Sequence, residues 1–158
     1  MLGFNATIEE VLKIWEDNAK RWHAGSSPWR PSKGDVAIYE QLGANKLRGN
    51  ILILGATPEL RDLASRFSSS VILVDISPAM IEKTSSLLKQ ANPVKETWIK
   101  SDWCAAPLAE NSFDIILGDM PWWVLPVAKQ HDLCNKLSLL LRPEGVLVTR
   151  IRIRDQNR

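Results

Sequence analysis

The stretch ILILGATPELRDLASRFSSSVILVDIS, residues 51–77, decides the fold. Ile51–Leu54 is a short all-apolar run, as a parallel strand buried on both faces requires. Gly55 then lets the backbone turn close to a ligand without a side chain in the way. Pro58 suits the first turn of a helix reaching about Phe67. Val71–Val74 is a second buried strand, and Asp75 stands at its tip, twenty residues after Gly55. Free amides at the helix start attract an acceptor group, and a carboxylate at this spacing can take both hydroxyls of a ribose. Either residue alone reads as a turn or a cap. Together, on consecutive strand tips, they point to an adenosine-containing cofactor.

The alternation continues outward. Ser77 caps a helix predicted over Pro78 to Gln90, followed by strands at Thr97–Lys100 and Phe113–Leu117, a helix at Val127–Leu141 and a fifth strand at Gly145–Ile153. Strands alternating with helices specify a doubly wound, three-layer α/β domain with a mostly parallel sheet, spanning residues 46–158. Residues 1–45 form a helical cap segment. From Thr7 to His23, Ile8, Val11, Leu12, Trp15, Ala19 and Trp22 recur at helical spacing, and Thr7 with Glu10 makes a capping box. Pro28-Trp29-Arg30-Pro31 is extended or turned, and Ser32 caps a short helix from Lys33 to Leu42.

Composition narrows the function classes. The 158 residues are 45% apolar and 24% charged, which fits one packed core, and a net charge of +2 is no nucleic-acid signature by itself. No apolar run approaches the roughly 20 residues that span a bilayer, and MLGFNATIEE lacks the features of a secretion signal, so the expected setting is cytoplasmic. Cys104 and Cys134 read as buried thiols, and with two histidines no metal site is expected. Seven tryptophans exceed what a small core uses, so some are expected to line a pocket or an interface.

The loop also bears on which cofactor. A dinucleotide loop wants G-x-G-x-x-G, whereas here Thr57 and Glu59 follow Gly55, and Glu59 at the helix start repels a pyrophosphate. S-adenosylmethionine has no phosphate and carries a positive sulfonium. At these spacings ILILGATPEL (51–60), VILVDISPAMIEK (71–83), SDWCAAPLAENSFDIILGD (101–119) and LLRPEGVLV (140–148) resemble the class I methyltransferases that use S-adenosylmethionine. That resemblance implies that Gly55, Ala56 and Thr57 border the cofactor, that Asp75 binds the ribose, that Ile76 and Met80 lie beside the adenine, and that Asp102 with Trp103 holds its edge. The chain departs from the family loop at Ile53, where an acidic residue is usual, and at Thr57 and Glu59, where glycines are usual. Either Thr57 and Glu59 take over contacts to the methionine amino group or binding is weakened; the carboxylates Asp75 and Asp102 at strand tips favour retained binding.

The fourth strand tip faces the methyl group in this fold. Asp119 is the candidate catalytic residue, contacting the methionine amino group or the substrate's proton, with Trp122 and Trp123 as a wall for the acceptor. Trp29 and Arg30 are expected to close over the methionine end, Arg30 pairing with the cofactor carboxylate. Asp119-Met120-Pro121-Trp122 is similar to the (D/N)-P-P-(Y/F/W) of methyltransferases acting on amino groups of bases, but fails at Met120. Arg150, Arg152 and Arg154 alternate along one strand and read as a solvated strand end. A small-molecule acceptor is therefore preferred to a nucleic acid, and a non-catalytic partner subunit is the remaining alternative. The family sheet usually adds two further strands beside the fifth; without them the fifth-strand edge, about Val146–Arg154, is a candidate homodimer contact.

Overall fold

The computed structural model describes residues 7–68 and 71–152. Helices α1 (Ile8–Arg21) and α2 (Lys33–Gly43) precede an alternation of β1 (Ile51–Leu54), α3 (Pro58–Ser65), β2 (Val71–Asp75), α4 (Pro78–Ser85), β3 (Glu96–Lys100), β4 (Phe113–Asp119), α5 (Pro121–Val124), α6 (Val127–Leu140) and β5 (Leu141–Arg150). The strands form one parallel sheet in the order β3-β2-β1-β4-β5. The order reverses at β1, so the tips of β1, β2 and β4 open into one crevice.

The core follows from the period of two along each strand. Ile51, Ile53, Leu73, Ile115 and Leu117 pack on one face with Leu60 and Leu63 of α3 and Tyr39 of α2. Leu52, Leu54, Val74 and Ile116 face the other way, against Leu133, Leu137 and Leu140 of α6. Both faces of the central strands are covered, which explains their uninterrupted apolar runs. Arg61 of α3 is fully buried in this arrangement. It pairs with Glu96 of β3 at 2.6 and 2.9 Å, bonds the Thr84 and Ser85 hydroxyls, and lies 4.8 Å from the centre of the Trp98 ring.

Several predicted boundaries move. Helix α4 stops at Ser85 rather than Gln90, because the backbone amides of Lys89, Gln90 and Ala91 turn to the Asp62 carboxylate instead of continuing the helix. Strand β5 begins at Leu141, paired with Phe113, and its regular pairing resumes at Val146 opposite Ile115. Between them Glu144 has φ 63°, and the extra residues form a bulge. The strand ends at Arg150, short of Ile153, which with Arg154 lies outside the described residues. Cys134 is exposed and Cys104 partly so, so neither is the buried thiol expected.

The N-terminal helices are fastened to the sheet by polar bonds that no sequence pattern announces. The expected capping box of Thr7 with Glu10 forms, and Ser32, expected only as an N-cap, forms a second one with Asp35. The buried Tyr39 hydroxyl donates to the Gly118 carbonyl at 2.7 Å and accepts from the Arg150 amide at 2.9 Å, joining α2 to the ends of β4 and β5. Arg150 is no solvated strand end. Its guanidinium bonds both oxygens of Asp119 (2.7 and 3.1 Å), the Asp35 carboxylate (3.2 Å) and the Pro28 carbonyl (3.1 Å).

Removing the Tyr39 hydroxyl strands two backbone groups, so Tyr39→Phe is expected to cost about 1–3 kcal/mol in urea denaturation. Arg150→Met leaves Asp119 buried and uncompensated and is expected to cost about 3 kcal/mol, with most of the loss recovered in the Arg150→Met/Asp119→Asn double variant. Additive costs in the double variant would show that the pair is not coupled.

Candidate functional site

A cavity of about 610 Å³ opens over the tips of β1, β2 and β4, roofed by α1, the segment after it and α5. It takes its floor from Leu54, Gly55, Ala56 and Thr57, one wall from Asp75, Ile76 and Met80, and another from Ser101, Asp102 and Trp103. Asp119, Met120, Trp123, Val124 and Leu125 close the far end, with Trp29 and Arg30 opposite them. Five of the seven tryptophans (Trp15, Trp22, Trp29, Trp103 and Trp123) line it. The pocket expected from the tryptophan content is this one.

Gly55 has φ +90°, a conformation side chains rarely adopt, and a Cβ there would sit 3.7 Å from the Trp103 ring and 3.8 Å from Asp75 Oδ2. The glycine thus keeps open a cradle bounded by a carboxylate and an indole. Asp75 Oδ1 accepts from the Ser77 amide at 2.8 Å, which fixes the carboxylate on its strand tip. Burial raises the Asp75 carboxyl to about 6, more than that amide bond lowers it. Trp103 is locked in place because its indole N–H donates to the Val74 carbonyl at 2.8 Å. Burial also acts to raise Asp102, but the Lys129 ammonium at 2.9 Å and the Cys104 amide at 2.8 Å hold it below the usual carboxylate range. These groups fit an adenosine: a carboxylate for vicinal hydroxyls, a ring to lie on the base, and a ledge without side chains between them.

The other expected site residues divide. Thr57 borders the cavity as the N-cap residue of α3. Glu59 does not line it: the carboxylate turns to Arg30, which donates to its Oε1 from Nε at 2.9 Å and from Nη2. Its Oε2 is buried with no hydrogen-bond partner among the described residues. Arg30 is therefore engaged by Glu59, although it still lines the cavity. Trp122 points into the α6 core instead of the cavity, while its neighbour Trp123 lines it with the Arg152 guanidinium 4.7 Å from its ring centre. Arg152, two residues past the end of β5, is exposed as expected while resting on that ring.

Asp119 lies at the cavity's far end, 4% exposed in its side chain. Burial raises its carboxyl, and the Arg150 guanidinium on both oxygens offsets this only in part. Each oxygen accepts one bond from Arg150, which fixes the carboxylate as an edge of the cavity and leaves further acceptor positions on it. Met120 has φ 53°, in the left-handed region, and its carbonyl accepts from the Trp123 amide at 3.0 Å. A proline, with φ near −65°, cannot adopt that turn. The likeness to D-P-P-W is therefore one of letters, not of backbone. Among the described residues no cluster suited to a metal is found, and no helix is long and apolar enough to cross a membrane.

The model of a methyltransferase domain family matches residues 54–145, more than half of the chain. No curated protein matches by sequence. Among solved structures, a complex of DhpI with SAM and HEP superposes with a TM-score of 0.71 at 20% identity, covering 92% of this chain and 67% of that one. NodS, an N-methyltransferase of Bradyrhizobium japonicum solved with S-adenosyl-L-homocysteine, gives 0.63 at 20% identity over 85% and 71%. An N-methyltransferase of Haemonchus contortus solved with phosphomonomethylethanolamine and S-adenosylhomocysteine gives 0.67 at 20% identity over 94% of this chain, which spans 36% of its length. With the strand order, the glycine turn and the acidic strand tips in place, the chain belongs to the methyltransferase domain family, within the class I superfamily of S-adenosylmethionine-dependent enzymes.

Proposed function

We propose that the chain binds S-adenosylmethionine and transfers its methyl group to a small-molecule acceptor. The observation that carries this reading is the buried Asp75 carboxylate facing the Gly55 turn and the Trp103 ring across one cavity. Asp75 takes the ribose hydroxyls, Trp103 and Asp102 take the adenine, and Gly55 to Thr57 pass beneath the methionine part. When bound, the cofactor would supply a methyl group already activated on a sulfonium. The chain's own task is positioning and exclusion of water, which the tryptophan-rich roof and the clasp at Arg150 perform.

An amino group of a nucleic acid base is the weaker alternative. The D-P-P-W segment it resembles at the β4 tip has another backbone here, with Met120 in the left-handed region at φ 53°.

Calorimetric titration with S-adenosylhomocysteine is expected to show binding to one site, weakened about 10- to 100-fold by Asp75→Ala. No binding to the wild-type chain would sink the reading. Protonation of Asp75 removes the acceptor, so affinity should fall as pH drops through about 6. The free fold carries the opposite slope. Its Asp75 holds a proton that the unfolded chain releases near 3.8, so this group's contribution to stability is full below about pH 4 and is lost as pH rises to about 6. Asp75→Asn should flatten both profiles.

A further inference from the structure

At the adenosine end, the Asp102 carboxylate is held from behind by a lysine outside the cavity lining. Asp102 caps the turn Trp103–Ala105, where its Oδ1 accepts from the Cys104 amide at 2.8 Å. Its Oδ2 accepts from Nζ of Lys129 at 2.9 Å, 27 residues further along the chain. Asp102 lines the cavity, whereas Lys129 of α6 is not among the residues that do. The lysine therefore reaches the ligand space only through the carboxylate.

The placing of Lys129 is not explained by its own helix. It lies in the first turn of α6, where no acidic residue accompanies it and where the helix dipole disfavours a cation. The pair with Asp102 offsets that. A second contact, the Cys104 thiol 3.9 Å from the Lys129 carbonyl, joins the same two segments.

Each Asp102 oxygen thus carries one bond, and a carboxylate has about four acceptor positions, so capacity remains for a ligand. An ionised carboxylate accepts and cannot donate. It suits the exocyclic amino group of adenine and opposes a 6-oxo group in the same place, whereas a protonated carboxyl would donate to that oxygen. Burial acts to raise the Asp102 carboxyl, and the Lys129 ammonium opposes it most, ahead of the Cys104 amide.

Resting on the cofactor reading above, we propose that Lys129 is a positioning residue for base recognition. It keeps Asp102 an oriented, ionised acceptor and so sets a preference for a 6-amino over a 6-oxo purine. The test is calorimetric titration of the full chain with S-adenosylhomocysteine and with its deaminated counterpart, S-inosylhomocysteine, at about pH 8 and about pH 5. The ratio of the two affinities is read, because loss of the Asp75 acceptor weakens both ligands alike and cancels. The other titratable groups here are Asp132, which acts on Lys129 from the same helix, and the Cys104 thiol, which burial pushes up to about 11. The unaltered chain is expected to prefer the adenine ligand about tenfold at both pH values. In Lys129→Met the preference should stay at about three- to tenfold at the higher pH and shrink to within about twofold at the lower, as Asp102 takes up a proton. Lys129→Arg should restore it at both, and Asp102→Asn should remove it at both. A lysine with a merely structural role would weaken both ligands together and leave the ratio independent of pH. That result, or an unaltered chain that binds both ligands equally, overturns the proposal and leaves the cofactor reading standing. Absence of S-adenosylhomocysteine binding overturns both.

Discussion

The guanidinium of Arg150 is the constraint on which the working end of this molecule depends. It closes the tip of β5 onto Asp119 of β4, Asp35 of α2 and the Pro28 carbonyl of the N-terminal segment. Asp35 is also held by Ser32 in its capping box, whereas both bonds shown to the Asp119 carboxylate come from Arg150. One planar fork with five donors serves them all, which a lysine could not do. The cap over the crevice is thereby part of the same polar unit as the sheet.

That unit also explains the division of labour inside the cavity. At the adenosine end the carboxylate Asp75 has its position set by backbone, because its oxygen accepts from an amide two residues on. At the other end Asp119 is held by Arg150, and outside the lining Glu59 holds Arg30. A methyl donor that is already activated places little demand on acid–base groups, and a site walled by indoles and clamped carboxylates suits such chemistry.

The glycine-poor loop follows from the same geometry. Within it only Gly55 adopts a positive φ, and there a ring and a carboxylate approach the missing side chain. Thr57 and Glu59 begin α3 in ordinary conformations. Glu59 is retained as an anchor for Arg30, which ties the loop to the segment that carries Trp29.

The sequence by itself determined the alternating architecture, the span of β1, the Thr7–Glu10 capping box and the placing of Gly55 and Asp75 on neighbouring strand tips. Each of these is local: a period, a cap, a turn, or a spacing of twenty residues along one βαβ unit. Tertiary structure alone decided which charges meet. Arg150 and Asp35 lie 115 residues apart, and Arg30 and Glu59 29 apart, so no local pattern marks them as partners. It likewise decided that Trp123 and not Trp122 faces the cavity. The left-handed turn at Met120 sets that orientation, and whether a methionine takes such a turn depends on the packing around it rather than on its own preference.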